Sequence, residues 1–276
     1  MTTNGVSIRE LPNLRPDTQE IYTVTVNGEK ITTVVTKHSP TVDDWIEKIY
    51  TDYKDCIDAV KKEDDLRRFI VGFDVKWKPN FGDDDHPIAT LTLCVYRKCL
   101  IFQIMRAVEV PRSLHRFLGD ENLRFVGVGI QDAALKLESE YNTRVEKTVD
   151  LGDSAAEWYG KKDLKTLGLM ELAKFLSNWG QKWYALRMEE IEVPANITSS
   201  NWGQKFLTRE QIQYACADAY VSFQIGDYLH PYLWMRGNGA SYLALWDSCS
   251  KKTAEEILKV TEEKRRKQFK YDRWKY

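Results

Sequence analysis

The chain has 276 residues, enough for one generous globular domain or one domain with tails. Its 43% hydrophobic and 12% aromatic content excludes a disordered chain, and its net charge of −1 excludes any argument for nucleic-acid binding from overall balance. Five cysteines (Cys56, Cys94, Cys99, Cys216, Cys249) form an odd set with no CxxC pair, which argues for reduced thiols over a disulfide framework or zinc site.

Met1–Pro16 lacks an apolar core of signal-peptide length, and no stretch approaches the ~18 apolar residues of a membrane span. The expectation is a soluble protein of the cytoplasm or nucleus. Residues 1–20 are polar, carry Pro12 and Pro16, and read as a flexible leader. β-Branched residues then alternate on both sides of Asn27-Gly28, a hairpin signal spanning residues 21–36. Thr41–Val60 has helical spacing (Val42, Trp45, Ile46, Ile49), and Lys61–Arg68 is charged.

Phe69–Phe73 is a compact apolar strand. Ile88–Val95 and Lys98–Ile104 read as two more, with Tyr96-Arg97 at the turn. Pro111–Leu118 suggests a short helix, Arg124–Ile130 a buried strand, Asp132–Tyr141 a helix and Glu146–Leu151 a short strand. Leu164–Leu176 is helical in spacing, and Gly180–Asn201 is irregular. Thr208 and Gln211 have capping-box spacing at the head of a helix carrying Ile212, Ala215, Ala219, Phe223 and Tyr228. Pro231 and Gly237–Gly239 should close a domain of residues 21–235. Residues 236–276 are left as a charged helix over Lys251–Lys267 and a basic tail. Three early strands in hairpin order followed by strand–helix units indicate α/β with a mixed sheet.

Three acids sit where an element would present them to a common site. Asp74 follows Phe73 at the end of the apolar strand, and alternation puts it on the same face as Lys76. Asp132 follows a strand in Gly127-Val128-Gly129-Ile130-Gln131-Asp132, near a helix N-terminus, where an acid is electrostatically favoured in any case. The two glycines of that segment are expected to let backbone and helix approach closely. Tyr214 and Asp218 share one helical face by their four-residue offset.

Their order, with Ser200-Asn201-Trp202 and Leu207-Thr208-Arg209-Glu210-Gln211, resembles the Werner-type exonuclease domain over roughly residues 40–235. This is the DEDDy branch of the DnaQ-like, RNase H-related 3′–5′ exonucleases. The resemblance implies a five-stranded mixed sheet flanked by helices, with the hairpin added. It implies that Asp74, Asp132 and Asp218 hold two Mg²⁺ or Mn²⁺ ions and that Tyr214 orients the attacking water. The histidine branch would place its residue at Gln213. Similarity to small plant members implies single-stranded substrates, RNA ahead of DNA, and an oligomer, a hexamer in some relatives.

One departure matters. The motif Asp-x-Glu is here Asp74-Val75-Lys76. An ammonium has no lone pair to give a metal and could itself sit between Asp74 and Asp218. Hydrolysis should therefore be impaired, unless Asp83, Asp84 or Asp85 substitutes as ligand; the alternative is an inactive nucleic-acid-binding or scaffold member. Lys76 should favour phosphate, and Trp77 and Trp202 are candidates to stack on bases. Phe73 and Phe206 are expected in the core. Between Lys264 and Lys275, seven Lys/Arg face one acid, Asp272, so the tail is a candidate nucleic-acid arm, nuclear address or subunit contact.

Overall fold

The computed structural model describes residues 5–54, 57, 69–79, 86–179 and 195–237, with the backbone alone at 178–179, 195 and 230–237. The basic tail, Asp83–Asp85, Cys56 and Cys249 lie outside the described residues. The chain divides into two compact units, Met1–Leu229 and His230–Tyr276. The sheet and the residues of the candidate site belong to the first.

Eight strands form one sheet: β1 (Val6–Glu10), β2 (Glu20–Val26), β3 (Glu29–Thr36), β4 (Phe69–Trp77), β5 (Ile88–Val95), β6 (Lys98–Phe102), β7 (Leu123–Gly127) and β8 (Thr148–Asp150). Their order is β1-β2-β3-β6-β5-β4-β7-β8. The five strands β6-β5-β4-β7-β8 are the mixed sheet of the expected RNase H-like fold. Within it only β5 runs antiparallel, pairing β4 and β6, while β4–β7 and β7–β8 are parallel. The hairpin β2–β3 forms at Asn27-Gly28, both at positive φ (50° and 84°), as a tight turn requires. It extends the sheet through a parallel β3–β6 ladder, so the sheet has eight strands rather than five with a separate hairpin.

Within the expected leader of residues 1–20, Val6–Glu10 is a strand. Val6–Glu10 pairs with Val26–Tyr22, and Val6 is buried. The polar residues around Val6 and Ile8 hid a strand whose stability comes from the ladder and not from its own pattern.

Alternation along β4 sorts the two faces. Phe69, Val71, Phe73 and Val75 point into a core with α1 (Ser39–Asp52), α2 (Arg112–Leu118) and α3 (Ile130–Tyr141), through Trp45, Ile49, Phe117 and Leu137. Phe125 stacks edge-on against Phe73 and Phe117, at 6.4 and 5.8 Å between centroids. Each large side chain buried here stabilises by roughly 1.5–3 kcal/mol. Gly72, Asp74 and Lys76 face the other way by the same alternation.

That second face is covered by the longest of the described helices. After α4 (Leu151–Tyr159), α5 (Leu169–Trp179) and the single turn α6 (Ala195–Thr198) comes α7, Arg209–Gly237. It runs past Pro231, where a closing signal was expected; a proline removes one helical hydrogen bond without obliging the helix to stop. Its start is the expected capping box: Gln211 N–H donates to Thr208 Oγ1 (3.2 Å), and Thr208 N–H donates to Gln211 Oε1 (2.9 Å). Among the described residues no helix is long and apolar enough to cross a membrane.

Candidate active site

Gly72 determines how closely α7 lies on the sheet. A β-carbon there would overlap the Ala219 carbonyl and come 2.9 Å from Phe223 Cβ. With no side chain in the way, the α7 backbone rests on β4, and Asp218 and Tyr214 are delivered over Asp74 and Lys76. Ala215 and Ala219 are fully buried, their small side chains suiting this close packing.

The four residues meet around one nitrogen. Lys76 Nζ lies 3.3 Å from Asp74 Oδ1 and 3.0 Å from Oδ2, and it donates a short hydrogen bond to Asp218 Oδ2. The same nitrogen sits 4.1 Å from the centre of the Tyr214 ring and 5.8 Å from that of Trp202. The two rings are 6.1 Å apart. Lys76 is therefore enclosed by two carboxylates and two aromatic faces, a cation–π arrangement added to an ion pair.

Electrostatics follow from that enclosure. Burial works against the charge on Lys76, but Asp218 and then Asp74 outweigh it and hold the ammonium charged well above its ordinary range. Burial is likewise the first cause acting on Asp74; Lys76 opposes it and Asp218 adds to it, leaving the carboxyl pushed up to about 7. Two carboxylates and one ammonium carry a net charge of −1 in a largely buried place, and a proton on Asp74 removes it. Asp74 Oδ2 is within ion-pair distance of Nζ yet makes no aligned hydrogen bond. Thr92 and Thr90, opposite Asp74 and Lys76 in the ladder, are buried and donate nothing to it. Burial, then Asp218, also pushes the Tyr214 phenol well up, so it stays protonated.

Asp132 does not join this group. It lies exposed in the first turn of α3. Among the described residues no three His, Cys, Asp or Glu side chains converge closely enough to hold a metal ion, so the expected ligand set Asp74–Asp132–Asp218 is not assembled. A divalent ion does not fit these residues: the position between Asp74 and Asp218 is filled by an ammonium that repels cations and offers no lone pair.

The start of α3 is set by a residue that the sequence pattern did not single out. Asp150 caps α4 through Oδ1, accepting from Gly152 and Asp153 N–H at 2.8 and 3.1 Å, and Oδ2 accepts from Gly129 N–H at 2.7 Å. Its place just before Leu151-Gly152 was a readable cap signal. Gly129 is left-handed (φ 65°) with open space around it, so it serves the turn into α3. Gly127 is the close approach, where a β-carbon would come 2.7 Å from the Phe73 carbonyl.

The aromatic expectations change. Trp202 is 1% exposed and its indole N–H reaches the Thr198 carbonyl (3.4 Å), so its ring is closed to a base. Phe73 is core, as expected, but Phe206 is 64% exposed. Trp77 is half-buried with Lys136 Nζ 5.2 Å from its ring centre. Lys76, its ammonium engaged by two carboxylates, is not placed to take a phosphate. Cys94, Cys99 and Cys216 are free, buried thiols.

A model of the 3′-5′ exonuclease family matches residues 47–234. A 3′-5′ exonuclease of Arabidopsis thaliana is 30% identical over 167 residues, 59% of this chain and 54% of that protein. The bifunctional 3′-5′ exonuclease/ATP-dependent helicase WRN of Mus musculus is 30% identical over 158 residues, 56% of this chain and 10% of that one. The chain thus spans about half the length of the first relative and a tenth of the second. Among solved structures, the EXD2 exonuclease domain soaked in Mn is 22% identical, covering 79% of this chain and 96% of that one at a TM-score of 0.38.

Proposed function

The chain belongs to the 3′-5′ exonuclease family, and from that premise we propose that it engages 3′ ends of single-stranded nucleic acid with its hydrolysis strongly impaired. One observation carries the reading: the Lys76 ammonium sits between Asp74 and Asp218. Asp74, Asp132, Tyr214 and Asp218 keep the family's DEDDy order, and Lys76 stands where its glutamate would be. Phosphodiester hydrolysis in such sites draws on Mg²⁺ or Mn²⁺ held by hard oxygen ligands. Here the residues hold their own cation instead. The Tyr214 ring is turned to that ammonium, and its high-pKa phenol is no base.

Single-stranded substrates, RNA ahead of DNA, follow from the resemblance to small plant members. Trp77, a stacking candidate in the sequence, is half-buried against the core with Lys136 Nζ 5.2 Å from its ring centre.

The test is an exonuclease assay on labelled single-stranded RNA and DNA, in Mg²⁺ and in Mn²⁺. The chain should cleave at least about 100-fold more slowly than Lys76→Glu, the scale of losing one transition-state contact. Asp74→Ala or Asp218→Ala placed in Lys76→Glu should abolish the regained cleavage. Equal, robust cleavage by the chain and by Lys76→Glu would overturn the proposal.

A further inference from the structure

The segment between α6 and α7 supplies Trp202 to the floor of the site and yet leaves Phe206 standing out at 64% exposure. A single exposed phenylalanine is ordinary on a protein surface. Three neighbouring features set this one apart.

The backbone beneath it is pinned. Gln103, itself 5% exposed, donates from Nε2 to the carbonyls of Gln204 (3.1 Å) and Lys205 (3.5 Å). Arg106 Nε donates to the Gly203 carbonyl (2.7 Å), and Gln204 Nε2 donates to Gln211 Oε1 (2.5 Å). Leu207 is buried on the far side. A segment fixed at both ends, with its one large apolar ring turned outward, presents that ring at low entropic cost.

One cation lies beside the ring and a second packs against its loop. Lys205 Nζ lies 5.2 Å from its centre. Exposed Lys78, which follows β4, packs against the same loop, 3.3 Å from where a β-carbon on Gly203 would be. Neither lysine pairs with an acid among the described residues.

The ring is also near the site. Phe206 follows by four positions Trp202, whose ring lies 5.8 Å from Lys76 Nζ. Four steps along the chain reach at most about 14 Å.

We propose that Phe206 is a stacking platform for an unpaired base, with Lys205 and Lys78 taking the adjoining phosphates. One ring with a lysine ammonium beside it and a second lysine on the same loop is far too small for a protein interface and matches the alternation of π-face and backbone charge in single-stranded nucleic acid. The inference deepens the proposed function and rests on it. It also supplies the phosphate contacts that Lys76 cannot.

The test is fluorescence anisotropy with 5′-labelled single-stranded RNA and DNA of one sequence, using the full chain in chelator so that no cleavage intervenes. Phe206→Ala should weaken binding roughly 5- to 150-fold, and Phe206→Trp should retain it. Lys205→Gln should lower the slope of log affinity against log salt by about 0.7. Phe206 is exposed, so its variants should melt with the parent. If the parent binds neither oligonucleotide, the proposed function fails. If the parent binds and Phe206→Ala binds equally well, the platform alone is overturned. An unchanged salt slope in Lys205→Gln overturns the phosphate role.

Discussion

At the scale of single residues, one exchange reverses the charge at the centre of the site. A carboxylate at position 76 would add a third negative charge beside Asp74 and Asp218. The lysine instead offsets one of their two charges and takes up the space between. Asp74 then has a raised pKa for a physical reason: it is enclosed, its second oxygen lacks an aligned donor, and Asp218 is close. The folded state holds a proton on Asp74 up to about pH 7, whereas the unfolded chain loses it near the ordinary carboxylate value of ~3.9. Between those values the folded state binds more protons, so this group's contribution is greatest at low pH and is lost as pH rises through 7. A difference measurement isolates the contribution of this group. In metal-free buffer the stability of the chain relative to Asp74→Asn should fall between pH 4 and pH 7, read by denaturant unfolding. A difference that rises over that window would contradict the assigned cause.

Asp74, Lys76, Tyr214 and Asp218 were legible because strand alternation and the helical four-residue offset fix which side chains share a face. Trp202 and Phe206 were read the wrong way round. Both lie in an aperiodic polar loop, and which ring goes inward is decided by Gln103, Arg106 and Tyr214, contacts from distant parts of the chain. Asp132 shows a related limit: its order in sequence matched the motif, but a helix first turn can present an acid to solvent as readily as to a site.

At the scale of elements, the site depends on how α7 meets β4. Gly72 is the point of contact, and a methyl group there collides with helix backbone that cannot move aside alone. Gly72→Ala should destabilise by at least about 1–3 kcal/mol, the ordinary cost of overpacking, and should lift Asp218 from Lys76. Chemical denaturation gives the first, and loss of the upfield ring-current shift on the Lys76 side chain gives the second. An alanine variant with parental stability would mean that α7 does not rest on β4 as described. The hairpin and the capping box of α7 were readable because their chemistry is local, in Asn27-Gly28 and in Thr208 with Gln211. Strand β1 was not, because pairing with β2 stabilises it, and the nine residues of helix α4 were announced by the Asp150 cap alone.

At the scale of the whole unit, a single eight-stranded sheet carries a large aromatic core on one face and α7 on the other. The site lies under that helix, where charge has to be balanced for the layers to close. Lys76 supplies the balance from within the chain, so closing α7 over the sheet requires no divalent cation. Lys76→Glu would set three carboxylates together and make closure depend on an added ion, because a ligand that binds only the folded state stabilises it by mass action. Thermal unfolding across a Mn²⁺ titration tests this most directly. The chain should melt at a constant temperature, while Lys76→Glu should melt lower in chelator and rise saturably as Mn²⁺ is added. A saturable Mn²⁺-dependent rise in the unaltered chain, abolished by Asp74→Asn or Asp218→Asn, would contradict the reading that its own lysine fills the place of the metal.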